Sequence, residues 1–534
     1  MTAVAAVSVR HRTPRAASAV PLNAARLLRV ELRRNTMPWI LPLIAALFWF
    51  DSYRPSTGTP PLYELRTYWN MGQGHTILDF GPFVAGVAAW MGSRDGRRGL
   101  ADLVTTTVRP RWAAQLATWA ATAIWAVAAY LVFVGVMFAV YAHQGVGGTP
   151  PWWWVAVGGM AVIAFSAAGF AIGAYWPSRF AAPVAAFGGF LAMFLSFQTG
   201  FSHTSGWALI LPTNSSGTFD SSAQTDSGIF YPWLPDLPIA RIMFLAGIAV
   251  AALGLTGLPA RAGGPWLRRA AARVTLAGLA LARLARRSPD RAADRPAHPQ
   301  GPAMTTVGLH RPTPGSVPPP AAGTRRDRAA AGWRLARLYL VSRRVPMALV
   351  LLAGLGALLW AALHWRWNIA GGAAARQFIP LTIQTGAAAV IAVTTYGPFG
   401  EPERAAGRWL PWLRLGAAVA LTAVAFGALA AGAAAGGMPG GSFALLRNFG
   451  GMAGIGLLSA VVLGGAFGWT GPMAYLLITE GALAHRSATP WVWPTRPPHD
   501  RGGAICACLV LAAGLVLITV RGPRESSREP DPAS

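Results

Sequence analysis

The fold of this chain is restricted most by a series of apolar segments, each about as long as a lipid bilayer is thick. A helix needs about 20 apolar residues to cross the hydrocarbon core of a membrane. Hydrophobic residues make up 54% of the 534 residues and charged residues only 12%, well below the roughly 25% charged residues of soluble domains. We therefore predict an all-α polytopic membrane protein. The predicted spans lie at roughly 37–50, 77–92, 115–141, 153–176, 180–197, 239–258, 345–363, 378–397, 415–435, 449–469, 471–484 and 503–520.

The chain also contains an internal repeat. The segment RLLRVEL, which begins at Arg26, returns 308 positions later as RLARLYL, which begins at Arg334. Further matches keep this offset: Pro38 with Pro346, Asp95 with Glu403 and Gly99 with Gly407. Because a long internal repeat decides the architecture of a chain, we predict about 12 transmembrane helices in two tandem six-helix halves, 23–262 and 331–524.

The remaining segments are polar or basic. Residues 1–22 are predicted to be a disordered cytoplasmic N-terminus and 525–534 a cytoplasmic tail. Residues 263–330 form a basic linker rich in proline and alanine, in which 265–287 could be an amphipathic helix on the inner membrane surface. Short runs of tryptophan at 152–154 and at 491 and 493 are expected to anchor the spans at the outer boundary of the membrane.

The basic residues indicate orientation rather than a nucleic-acid partner. The formal net charge is +26, but the arginines lie mostly between the apolar segments, where they set topology and meet lipid headgroups. Their distribution places both termini in the cytoplasm of a multi-pass protein of the cell membrane. The chain has no lysine, so it cannot form a standard Walker A loop, which needs a lysine on the phosphates.

Motifs for enzyme chemistry are missing from the sequence. There is no HExxH, no GxSxG and no cluster of histidine, cysteine and carboxylate residues with metal-ligand spacing. We expect no catalytic activity, cofactor or metal in this chain. Asp79 and Glu480 are the candidate intramembrane acids, although each lies near the end of a predicted span, where a carboxylate is less costly.

Two charged segments, 93–111 and 401–414, follow the second predicted span of each half. Both mix acids and arginines with apolar residues, a pattern that suits short surface helices in contact with a protein partner. Their candidate docking residues are Arg94, Asp95, Arg97, Gly99, Asp102, Glu401, Glu403, Arg404, Gly407 and Arg408. An amphipathic segment precedes the first span of each half, with basic residues Arg26, Arg29, Arg33, Arg334 and Arg337.

In these features each half resembles the membrane subunit of an ABC-2-type transporter. Segments 23–34 and 331–344 are similar to the connecting helix of that family, and 93–111 and 401–414 are similar to its charged loop. The resemblance implies six spans per half and separately encoded ATP-binding cassette ATPase subunits bound at these elements, with no second copy of the chain required. The second half departs from the family pattern, because its external segment 485–502 is short and its loop is rich in proline.

Two other classes remain open. A proton-coupled secondary transporter of the major facilitator type also has twelve spans in two halves, and Asp79 or Glu480 would then carry the proton. A non-transporting membrane scaffold fits the abundance of glycine and alanine, which favours tight helix packing. The sequence shows no charged central cavity, so for a transporter we expect an amphiphilic or hydrophobic substrate, with export as the commoner direction in the resembling family.

Overall fold

The computed structural model describes residues 20–52, 77, 79–97, 111–143, 152–199, 236–257, 264–287, 337, 339–364, 373–397, 410–436, 438, 440–484 and 489–524. These residues form helices and short connections, and no strand occurs among them. The helices are α1 (Val20–Arg34), α2 (Met37–Ser52), α3 (79–92), α4 (Arg111–His143), α5 (Trp152–Tyr175), α6 (Ala181–Thr199), α7 (Asp236–Gly257), α8 (Gly264–Arg287), α9 (Val345–His364), α10 (Ala373–Thr394), α11 (Leu410–Gly436), α12 (Gly441–Leu463), α13 (Thr470–Ala484) and α14 (Arg501–Val520).

Eight of the described helices are long and apolar enough to cross a membrane, which establishes the all-α multi-pass class. They are α4, α5, α7, α9, α10, α11, α12 and α14, and shorter apolar helices lie at Met37–Leu47 and Ala181–Phe194. Every predicted span overlaps a helix, but the span predicted at 449–469 runs past the end of α12 at Leu463. The number of twelve crossings and the division into two halves remain predictions.

The basic flank of the first predicted span forms a separate helix. Helix α1 ends at Arg34 and α2 begins at Met37. The side chain of Asn35 lies at the break: its Oδ1 accepts a hydrogen bond from the Met37 backbone N–H at 2.8 Å, as in an N-cap. Its Nδ2 donates to Thr122 Oγ1 at 2.8 Å. The break is therefore built by Asn35, and α1 is a separate helix.

Glycines set several of the closest helix contacts. A Cβ added to Gly169 or Gly173 of α5 would lie 2.2 or 2.0 Å from a backbone oxygen of α3. In the later part of the chain, Gly456 of α12 lies against Ala388 and Ala392 of α10. Such small-residue contacts are typical of helix packing inside membranes, where backbones approach closely.

Aromatic residues join helices that are far apart in the sequence. Phe378 of α10 stacks on Phe194 of α6, with ring centroids 4.4 Å apart. Trp469, directly before α13, packs on Phe83 of α3 at 5.9 Å, and its ring fills the space beside Gly86. The core is therefore continuous between the helices before and after residues 288–336, the undescribed part of the linker.

Helix α8 coincides with the predicted amphipathic helix, but its position differs from the expected one. Buried residues Ala271, Thr275 and Ala282 meet α7 next to Gly257, Gly254 and Gly247 respectively. This order means that α8 runs antiparallel along α7. A helix lying flat on the membrane surface would instead cross the end of α7.

The tryptophans expected at the membrane boundary divide into two groups. Trp152, Trp153 and Trp491 are 65%, 46% and 44% exposed, and the side chain of Trp154 lies outside the described residues. Trp493 is only 2% exposed, because it stacks on Tyr475 at 4.6 Å and covers Gly451. Its predicted anchoring role is therefore wrong, and Trp493 instead fixes the segment 489–500 onto the bundle.

Candidate functional site: the junction cluster

Several helix ends meet at one end of the bundle and form what we name the junction cluster. It consists of residues Trp90, Arg97, Arg179, Ser342, Arg343, Tyr396 and Phe467. Helices α3 and α10 end here, and α6, α9 and α13 begin nearby. Helices α3 and α10 therefore point towards this end of the bundle, and α6, α9 and α13 point away from it.

Helix α1 is attached to the bundle close to this cluster. Trp125 of α4 donates from Nε1 to the Leu32 backbone oxygen at 3.0 Å. Arg26, Arg29 and Arg33 lie on the exposed side of α1, as the amphipathic pattern predicts. The apolar side of α1 is thus fixed by α4, and its basic side is free to face lipid or a partner.

The short helix Arg94–Arg97 is tied to α1 by an ion pair. Arg94 Nη2 lies 3.1 Å from Glu31 Oε1, and Arg94 Nε lies 3.5 Å from Asp95 Oδ1. Burial acts to lower the pKa of Arg94, but the hydrogen bonds and charges of Glu31 and Asp95 together outweigh burial, so the pKa is raised above its usual value. The guanidinium therefore stays charged, and the first charged segment and α1 are linked.

The same short helix contacts the connection between α5 and α6. Arg97 Nη2 donates to the Trp90 backbone oxygen at 3.0 Å, and its guanidinium carbon lies 3.2 Å from the centroid of the Trp90 ring, a cation–π contact. A Cβ added to Gly96 would lie 2.5 Å from Pro177. Any larger residue at position 96 would push the short helix Arg94–Arg97 away from the connection between α5 and α6.

Arg179 joins this group to the later helices. It donates from Nη1 to the Tyr396 backbone oxygen and from Nη2 to the Ser342 backbone oxygen, the latter at 2.8 Å. Arg179 is only 6% exposed. One buried guanidinium thus holds two connections that are far from it in the sequence.

Arg343 and three aromatic rings complete the cluster. Arg343, 2% exposed, donates from Nη1 to the backbone oxygens of Thr394 and Thr395. The Trp90 ring lies 5.5 Å from Phe467 and 6.1 Å from Tyr396, edge-on to Tyr396. Charge-assisted bonds to backbone carbonyls are stronger than neutral ones, so these arginines stabilise the junction.

The structure brings together only part of the predicted site. Arg94, Asp95 and Arg97 lie at the junction, Arg26, Arg29 and Arg33 lie on α1, and Arg337 is exposed shortly before Ser342. Other predicted residues lie outside the described residues: Gly99, Asp102, Arg334, Glu401, Glu403, Arg404, Gly407 and Arg408.

The two candidate intramembrane acids lie away from the junction cluster. Asp79 is at the start of α3, whose other end carries Trp90, and is 8% exposed. Glu480 is partly buried near the end of α13, whose start lies next to the cluster. Among the described residues, no group of three or more histidine, cysteine, aspartate or glutamate side chains could hold a metal ion.

Sequence reasoning missed the residues that hold the junction together. Arg179 and Arg343 were counted only as ordinary basic residues beside spans, and Tyr396 was not singled out. One sequence feature, the repeat offset, could have pointed to Arg343: it stands 308 positions after Asn35, and each of the two residues directly follows a helical segment, α1 or 339–342.

Comparison with known proteins gives no relative for this chain. No family model matches it, and no curated protein and no solved structure does either.

Proposed function

We propose that this chain is the membrane-spanning permease of an ABC transporter, driven by separately encoded ATPase subunits that bind at the junction cluster. The observation that carries the proposal is the ion pair between Glu31 and Arg94. It links the connecting helix α1 to the charged segment, the two elements that in the resembling family transmit the movement of the ATPases. Asp95, with 31% of its side chain exposed, remains accessible to a partner.

Reciprocal packing supports two pseudo-dimeric halves within this proposal. The fifth helix of the first half, α6, packs on the second helix of the other half, α10. The second helix of the first half, α3, packs on Trp469 at the start of the fifth helix of the other half. An interface with two-fold symmetry requires such an exchange: the fifth helix of each half contacts the second helix of the other half.

The breaks between connecting helix and first span support the same division. Asn35 ends α1, and Arg343 and Arg344 interrupt the helix between 339–342 and α9. Arg344 has a φ of 52°, which a non-glycine residue rarely adopts. Both breaks fall at the repeat offset of 308 residues. In this proposal both termini and the junction cluster face the cytoplasm, and the protein lies in the cell membrane.

The proposal is tested by purifying the tagged chain in mild detergent from its native membrane and identifying what accompanies it. We expect an ATP-binding cassette protein in a fixed ratio to the chain. Replacing both acids of the charged segments (Asp95→Ala with Glu403→Ala) should weaken this association without reducing membrane insertion. Asp226→Ala is the matched control, because it lies between the predicted spans 180–197 and 239–258, on the outer side when the N-terminus is cytoplasmic.

Two results would contradict the proposal. One is that the ATPase stays bound and transport persists in the double variant. The other is that the chain purifies without an ATPase and that its transport activity after reconstitution depends on a proton gradient and is abolished by Asp79→Asn or Glu480→Gln. The second result would establish the secondary-transporter alternative.

A further inference from the structure

A polar cavity lies at the end of the bundle opposite the junction cluster. It is bounded by α10, α12, α13 and the segment 489–500. Its volume for the centres of water-sized molecules is ≈ 60 Å³, several times the ~10–15 Å³ that one water needs. Its polar lining residues are Gln377, Gln384, Arg447, Asn448 and Arg496.

Gln384 lies at the base of this cavity and is 1% exposed. Neither its Nε2 nor its Oε1 has a hydrogen-bond partner among the residues that the structure describes. The hydroxyls of Thr382 and Thr385, its neighbours on α10, are satisfied by the backbone oxygens of Phe378 and Leu381. A buried amide without partners is unfavourable, so Gln384 needs a partner beyond those that the described residues supply.

Two arginines give the cavity a positive character. Arg447, 5% exposed, donates to backbone oxygens of residues 496–498 and to Asn448 Oδ1. Arg496 pairs with Asp500 at 3.0 Å. The described lining therefore contains two guanidinium groups and no carboxylate, since Asp500 and Glu480 do not line the cavity.

We propose that this cavity binds a small carboxylate that carries an N–H or O–H donor on a neighbouring atom, the chemistry of an N-acyl amino acid or a hydroxy acid. The Gln384 amide N–H donates to the carboxylate, and the Gln384 carbonyl accepts from the neighbouring donor. Asp500 offsets the charge of Arg496, so the positive charge that favours the carboxylate is mainly that of Arg447. Pro380, Pro494 and Pro498 also line the cavity and offer no backbone N–H, so the donors and acceptors of this lining are mainly side chains, with the Gln384 amide as the buried one that has no partner among the described residues.

The test is a calorimetric titration of the purified full-length chain in detergent with N-acetylglycine. N-acetylglycinamide, which has nearly the same shape but no charge, is the matched probe. We expect N-acetylglycine to bind at least about tenfold more tightly than the neutral probe. The variant Gln384→Leu should weaken N-acetylglycine binding at least about tenfold, as the loss of a hydrogen bond to a charged group requires. Thr385→Val, which changes only a bond within α10, should stay within about twofold of the unmodified chain.

The thermal midpoint without ligand separates binding from a structural role. Because leucine removes an unpartnered amide, Gln384→Leu should melt no lower than the unmodified chain. The inference is overturned if N-acetylglycine does not bind, if its affinity is unchanged in Gln384→Leu, or if that variant melts lower, which would assign the amide to internal water. The titration uses no ATPase, so its outcome is independent of the proposed coupling to one.

Discussion

Replacing Arg179 by alanine should loosen the contact between the helices before and after the linker. The substitution removes two charge-assisted hydrogen bonds, to the Tyr396 and Ser342 backbone oxygens. Bonds to charged groups contribute about 1.5–3 kcal/mol each. Since both acceptors lie near helix ends, where water can partly replace the guanidinium, we take the lower value and expect a loss of about 3 kcal/mol in the free energy of unfolding.

The loss can be measured by reversible unfolding of the purified chain in mixed micelles, together with hydrogen exchange of the affected segments. Exchange should increase at 339–343 and at 394–397, and it should stay unchanged at α14. Arg29→Ala, which removes an exposed arginine of α1, is the matched control and should change stability by less than about 0.5 kcal/mol. If Arg179→Ala is as mild as Arg29→Ala, the junction does not depend on this guanidinium and the argument fails.

Two further predictions concern helix packing and pH. Gly173→Ala should destabilise the chain by about 2 kcal/mol or more, because its Cβ would lie 2.0 Å from the Ala89 backbone oxygen. Gly188→Ala, whose Cβ would meet nothing within 4 Å, should stabilise the chain by about 0.5–1 kcal/mol. Equal shifts of the melting temperature in the two variants would contradict the close packing of α5 on α3. The hydrogen bonds from Arg496 and from the Gly503 backbone N–H lower the pKa of Asp500 below its usual 3.8. The ionised carboxylate therefore stabilises the folded chain above about pH 4, and this stabilisation is lost as the pH falls through the lowered pKa. Protection of 489–503 from hydrogen exchange should therefore decrease below pH 4, and Asp500→Asn should remove this pH dependence; a variant with the same pH profile as the unmodified chain would disprove the assignment.

The helices could be predicted from the sequence because each depends on local hydropathy. The span predicted at 345–363 is the helix Val345–His364, and the span predicted at 503–520 is Arg501–Val520. The predicted segments 23–34 and 37–50 leave out Asn35 and Thr36, where the helices break, but the cap made by Asn35 was not predicted, because hydropathy does not register a cap. The length of an apolar run thus predicts that a helix exists better than where it ends.

The junction cluster could not be predicted in the same way, because its bonds join distant residues. Arg179 bonds to residues 163 and 217 positions away, and no local pattern specifies such partners. Helix α8 illustrates the same limit. Small residues at 271, 275, 278 and 282 predict a stripe that packs closely on another helix. The sequence does not show that this other helix is α7.

Helix α10 is the element through which the proposed cavity and the junction cluster could act on each other. Gln384 lies within its membrane window Gln377–Thr394, which is 94% buried, and Thr394 at its end accepts from Arg343. A helix packed on nearly every side moves as a rigid body, because close-packed interiors do not deform gradually. A ligand on Gln384 would therefore bias the position of the Thr394 end by its difference in affinity between two positions of α10. Exchange at 394–397 that responds to N-acetylglycine in the unmodified chain, and not in Gln384→Leu, would show this coupling, and a response confined to the cavity would exclude it.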